Sequence, residues 1–259
     1  MSHMSRNMSR AIVGIIFGAI APRAFAIAIV DCSETIVVNA QTGGNSSYGE
    51  GQHEFHTSST TQPCFRLEDG YDLDLNGNTI TCDGAAPCAA AVVGTAPGSV
   101  LEGGTIDGDF ATCVANVFEV VGVTFRGCRT AIFGEAGLTK KIWKNVLRGE
   151  GGAVGIDADI NMSLGFIKSN LISGYATAIR FSGTSTGTGP MVSRNVIADF
   201  DTGVESLDQT RGRIESNLFC QANLGADALS YGASKALSSN SCCNDEETAC
   251  QTVAPFENQ

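Results

Sequence analysis

Apolar residues recur along this chain at two fixed offsets from a repeating polar mark. The stretch Ile167 to Ile179, reading I-K-S-N-L-I-S-G-Y-A-T-A-I, carries the unit most fully, with Asn170 as the mark. The same shape returns at Asn78, Gly104, Val123, Asn145, Asn195 and Asn217, with steps of 26, 19, 22, 25, 25 and 22 residues between successive marks. Three positions before the marks stand Leu75, Leu101, Val120, Ile142, Ile167, Val192 and Ile214. Two positions after them stand Ile80, Ile106, Phe125, Leu147, Ile172, Ile197 and Phe219. A repeat this short cannot hold a helical pair, which needs more than about thirty residues.

Apolar positions five apart would face opposite sides of one straight strand, because side chains alternate along a strand. A bend at the mark turns both inward. Asn suits such a bend, since it tolerates left-handed backbone and can bond its own chain. Stacked Asn side chains can also bond one another from coil to coil. A second apolar site follows nine residues after several marks, at Ile132, Ile179 and Val204, and gives each coil a third wall. One coil cannot bury its own stripe, so stacking must supply the core. The pattern predicts an all-β solenoid of about seven coils over residues 71–230. Residues 27–70 read as an N-terminal cap with a Gly-, Ser- and Thr-rich loop from Gln41 to Thr61, and residues 231–259 as a cysteine-bearing C-terminal cap.

The segments L-D-L-N-G-N-T-I-T (73–81) and G-G-T-I-D-G (103–108), with the N-x-I-x-G-x-x-x-A-I cadence, resemble the right-handed single-stranded parallel β-helix of the pectin-lyase-like superfamily. The resemblance implies an architecture and a carbohydrate setting. It does not fix a reaction, because that fold hosts lyases, hydrolases, epimerases and adhesins.

Residues 1–26 read as an export signal: Arg6 and Arg10, an uncharged apolar run Ala11 to Ala21, and the small-x-small end Ala24-Phe25-Ala26. The run is too short to span a bilayer, so the mature form is expected without a membrane span, secreted, periplasmic or at a cell surface. Without this segment the chain keeps 13 basic and 27 acidic residues, a net charge of −14. Nucleic acid is therefore excluded as a partner, since phosphate binding demands basic surface. All ten cysteines follow residue 31, as in an oxidising compartment. Cys32–Cys64, Cys82–Cys88 and Cys113–Cys128 are natural pairs by position, leaving Cys220, Cys242, Cys243 and Cys250 for the C-terminal end. Asn45 and Asn161 open glycosylation sequons. His53 and His56 flank Glu54 in the Gln41–Thr61 loop and are more simply solvated than metal ligands.

Outward positions around the marks concentrate charge on coils two to five: Glu102, Asp107, Glu119, Arg126, Lys141, Arg148 and Lys168, with the single Trp143 among them. Arginine forks bind carboxylates and an indole face stacks on a sugar ring. This wall is the expected polysaccharide or cell-surface glycan site, with Glu102, Glu119, Lys141, Trp143 and Lys168 as binding residues. Neighbouring rungs lie about 4.8 Å apart, so the same charges also suit lateral ion pairs worth under about 1 kcal/mol each. What the resemblance implies for catalysis is thin. No His follows His56, Arg213-Ile214-Glu215 lacks the lysine of the polygalacturonase element, and no aspartate pair matches a glycoside hydrolase. A Ca²⁺-assisted pectate-lyase-type reaction needs less: Asp107 and Asp109 as cation ligands and Arg126 or Arg148 as base. The expected function is glycan binding, with that lyase and a non-catalytic adhesion protein as alternatives.

Overall fold

The computed structural model describes residues 27–42, 44–135, 138–159, 165–182, 190–206, 212–220, 227–231 and 235–243. Within them the chain winds as a parallel β-solenoid whose coils each contribute strands to three walls. The first wall is a nine-stranded sheet, with strands such as Glu119–Val121, Lys141–Trp143 and Phe166–Lys168. The second wall follows the bend, with strands such as Thr105–Asp107 and Thr124–Arg126. The third holds Phe110–Ala115 and Thr130–Gly134. Val146–Asp159 and Leu171–Ser182 run through both of the last two, merging them into one 17-stranded sheet. The single helical piece among the described residues is a 3-10 turn at Ala40–Thr42. No described helix is long and apolar enough to cross a membrane.

The repeat offsets are the core. Leu75, Leu101, Val120, Ile142, Ile167, Val192 and Ile214 are at most 1% exposed, and Ile80, Ile106, Phe125, Leu147, Ile172 and Ile197 are fully buried. Register stacks like on like: Val120 pairs Leu101 and Ile142, and Phe125 pairs Ile106 and Leu147. Ile132, Ile179 and Val204 line the interior of the third wall.

The bend is built differently from the sequence reading. The left-handed residue is the one before the mark: Gly77, Gly103, Gly122, Lys144, Ser169, Arg194 and Ser216 all have φ between 48° and 79°, as does Asn76. The Asn itself turns its amide inward as a rung. Asn170 Oδ1 accepts from the backbone N and Nδ2 of Asn145, while its Nδ2 donates to Ile142 O and Asn195 Oδ1, all at 3.0–3.1 Å. Both donors and both lone pairs of the amide are used. The same pattern runs through Asn195, Asn217 and Asn240. Gly104 cannot join it, because a Cβ there would sit 2.5 Å from Leu75 Cβ and 2.6 Å from Asn78 O.

Strands extend past both ends of the expected repeat. His53–Thr57, placed in a surface loop by the sequence reading, pairs with Ala28–Asp31 and with Thr79–Cys82 in the second wall. His53 stands there in place of Asn, 25 residues before Asn78, and polar Glu50 replaces the usual apolar residue, which hid the coil. Tyr48, Phe55 and Phe65 fill this end of the core edge to face, with centroids 4.8 and 4.9 Å apart for the Tyr48–Phe55 and Phe55–Phe65 pairs. At the other end, Lys235–Ser238 and Ser241–Cys242 continue the first and second walls within the segment read as a cap.

Cys32–Cys64, Cys82–Cys88 and Cys113–Cys128 pair as expected, and Cys220 takes Cys243. Cys242 is also disulfide-bonded. These bonds suggest an extracellular or otherwise oxidising compartment. The segment 1–26, Asn161 and Cys250 lie outside the described residues.

Asn170→Ala leaves the amide of Asn145 and the carbonyl of Ile142 without these partners. The expected loss, measured by urea denaturation, is about 2–4 kcal/mol, well above that of an exposed Ser169→Ala control.

Candidate functional site

Alternation along the second wall turns the third residue after each mark outward. The resulting column runs His56, Thr81, Asp107, Arg126, Arg148, Ser173 on successive rungs. Asp107, Arg126 and Arg148 are thus brought together as expected. Arg126 Nη1 lies 4.0 Å from Asp107 Oδ2, with both side chains about half exposed (50% and 44%). Such a contact is loose and screened. Arg148, on the next rung, makes no ion pair among the described residues.

Beside this column the wall turns over glycines: Gly108, Gly127, and Gly149, Gly151 and Gly152 around Glu150. The strand register slips between Arg148 and Gly152, with Glu150 and Gly151 in the left-handed region. The missing side chains leave a cleft of about 340 Å³, lined additionally by Asp107, Asp109 and Arg129. Its floor rests on Tyr175, since a Cβ on Gly149 or Gly152 would come within 2.6 or 2.8 Å of that ring. Tyr175 is 2% exposed, and burial pushes its hydroxyl well above the usual phenol range, so it stays neutral.

Arg129 forks onto Asp109, with Nε at 2.8 Å and Nη2 at 3.0 Å from the two carboxylate oxygens. The guanidinium holds the Asp109 carboxyl below the ordinary range. Asp109 is thus engaged by Arg129, and no group of three or more His, Cys, Asp or Glu side chains is arranged for a metal among the described residues. Arg129 and Glu150 escaped the sequence reading because Arg129 sits between two strands and Glu150 at the register slip of Val146–Asp159, where the fixed offsets do not apply.

The remaining expected residues stand across the bend, on the first wall. Glu119 takes Lys141 Nζ at 2.9 Å and Trp143 Nε1 at 2.8 Å on its two oxygens. Lys144 Nζ lies 4.6 Å over the Trp143 ring, so one indole face already carries an ammonium. Glu102 and Lys168 are without ion pairs among the described residues. The charged wall of the sequence reading is two walls, because the columns before and after the mark are turned apart by the bend.

His56 lies in this outward column rather than in a surface loop. Its Nδ1 is 2.5 Å from Asp83 Oδ2 on the next coil, and its Nε2 is 3.6 Å from Glu54 Oε2. Asp31 occupies the preceding rung. The bond to Asp83, then the charges of Asp83 and Glu54, raise the imidazole pKa despite partial desolvation.

Compared with protein-family models, with curated proteins and with solved structures, the chain gives no match.

A raised His56 pKa stabilises the fold fully below the unfolded histidine value of about 6.5 and loses that contribution as pH rises through the folded value. The stability advantage of the wild type over Asp83→Asn, followed by urea denaturation across pH, is expected to be greatest on the acid side and to shrink above neutrality. A pH-independent difference would remove the charge from this account.

Proposed function

We propose that this is an exported recognition protein that holds polysaccharide along its second wall without cleaving it. The site is the cleft beside Asp107, Arg129 and Glu150, continued by Arg126 and Arg148. The observation that carries this reading is the glycine-floored cleft lying directly beside a column of exposed charges of both signs. Carboxylates accept from sugar hydroxyls, and the arginine forks receive hydroxyls or carboxylates of the sugar. A wall of evenly spaced rungs suits an extended polymer better than a compact ligand. The likeness of residues 73–81 and 103–108 to pectin-lyase-like proteins supports a carbohydrate ligand. The apolar segment before Ile27, together with the disulfides, supports export.

A lyase is the second reading, favoured by one feature: Arg148 has no carboxylate partner among the described residues and so is free to meet a substrate proton. Calcium on Asp107 and Asp109 would neutralise the substrate carboxylate in that reaction. Asp109 would first have to give up Arg129. That cost weighs against it.

Retention on immobilised acidic and neutral polysaccharides, with calcium or with a chelator, tests both. Binding without turnover is expected, weakened about tenfold by Arg126→Ala or Arg129→Ala, the loss of one charged hydrogen bond. Calcium-dependent growth of ultraviolet absorbance from unsaturated sugar ends, abolished by Arg148→Ala, would make it a lyase. No retention by the folded protein would leave a structural or adhesive role.

A further inference from the structure

Charge on this rod is divided along its length. Residues 27–122 hold 13 acidic side chains and one basic one, Arg66. Residues 123–243 hold 12 basic and 10 acidic ones. The first wall shows the division most sharply. Asp74, Glu102 and Glu119 stand outward on coils one to three, followed by Lys141 and Lys168 on coils four and five. The boundary falls between coils three and four, at the Glu119–Lys141 bridge.

We propose that this wall is the face on which two copies of the chain meet, side by side and running in opposite directions. A half-turn about an axis along the strands, between coils three and four, keeps each outward column facing its own counterpart. It sets coil three on coil four and coil two on coil five. The contacts of coil three with coil four and of coil two with coil five are complementary. Glu102 meets Lys168 of the second copy, and neither makes an ion pair among the described residues of one chain. Val121 meets Trp143, and Val100 meets Phe166, all of them half-buried in the single chain. At the centre two Glu119–Lys141 bridges meet as a four-charge network. A two-fold contact of this kind is isologous, so each pairing occurs twice. Rods aligned in the same direction would instead set acidic coils against acidic coils.

The partner is a second copy because the pattern is self-complementary about one axis, which a polyanion has no reason to match. The second wall, with its cleft, stays open, so this inference is independent of the glycan reading. The nine strands of this wall, of two to four residues each, present a face on the order of 400 Å², against the roughly 800 Å² per partner of a standard interface. The dimer is accordingly weak and depends on its charges.

Sedimentation equilibrium of the full mature chain reads the outcome. A monomer–dimer equilibrium is expected at about 0.01 M salt, where the Debye length is roughly 30 Å, and mostly monomer at about 1 M, where it is roughly 3 Å. Glu102→Lys and Lys168→Glu are each expected to be monomeric, since each variant faces like charges with its own copy. Mixed one to one, they form a heterodimer, and the double variant recovers the homodimer. Both sites are outward-facing, so folding is not at stake. Wild type that stays monomeric at low salt, or a dimer indifferent to reversal at 102 and 168, would overturn the proposal. A monomer that binds acidic polysaccharide through Lys168 would also overturn it and give the wall to that ligand.

Discussion

A buried asparagine amide at the bend of most coils is the constraint that the rest of this structure obeys. A strand that turns sharply at each mark leaves a backbone N–H and a carbonyl inside, where an unpaired polar group costs about 1–3 kcal/mol. Asn answers both at once, accepting from the coil behind and donating to its carbonyl. Its remaining donor and lone pair join it to the neighbouring rungs. The bend then fixes the register, and register decides which side chains face inward. Isoleucine, leucine, valine and phenylalanine follow as a stacked core because the turn has already chosen their positions. The outer columns are fixed by the same geometry, which is why Asp107, Arg126 and Arg148 align without contacts strong enough to hold them there.

Much of this was legible in the chain. The offsets of Leu75 through Ile214 and of Ile80 through Phe219 predict the interior residue by residue, because burial imposes the same demand on every coil. The Asn rungs were legible for the same reason. The left-handed residue was not: Lys144, Ser169, Arg194 and Ser216 share no chemistry, since that position demands a conformation rather than a side chain. The coil of His53 escaped because His stands at the mark and polar Glu50 three before it, so that Phe55 alone keeps its diagnostic place while the backbone continues unchanged.

The outer surface was harder to read. Glu119 stands four residues before the mark Val123 and Arg126 three after it, and the sequence reading joined into one wall two columns that the bend turns apart. Arg129 belongs to a turn and Glu150 to a register slip within a strand, where no fixed offset applies. A solenoid's interior is periodic by necessity and its loops are free to vary, so sites made of loops carry no periodic signature.

The amide series has a gap. Gly104 and Val123 carry no rung, so the junctions on either side of the Gly104 coil lack the bond that joins most of the others. In a stack whose stability is the sum of coils and their nearest-neighbour contacts, such junctions are where cooperativity breaks. Cys113–Cys128 crosses one of them. The oxidised rod is expected to melt as a longer unit than its polar ladder alone would enforce. Reduction would uncouple an aromatic-plugged N-terminal block from an asparagine-laddered C-terminal one, each unfolding at its own temperature.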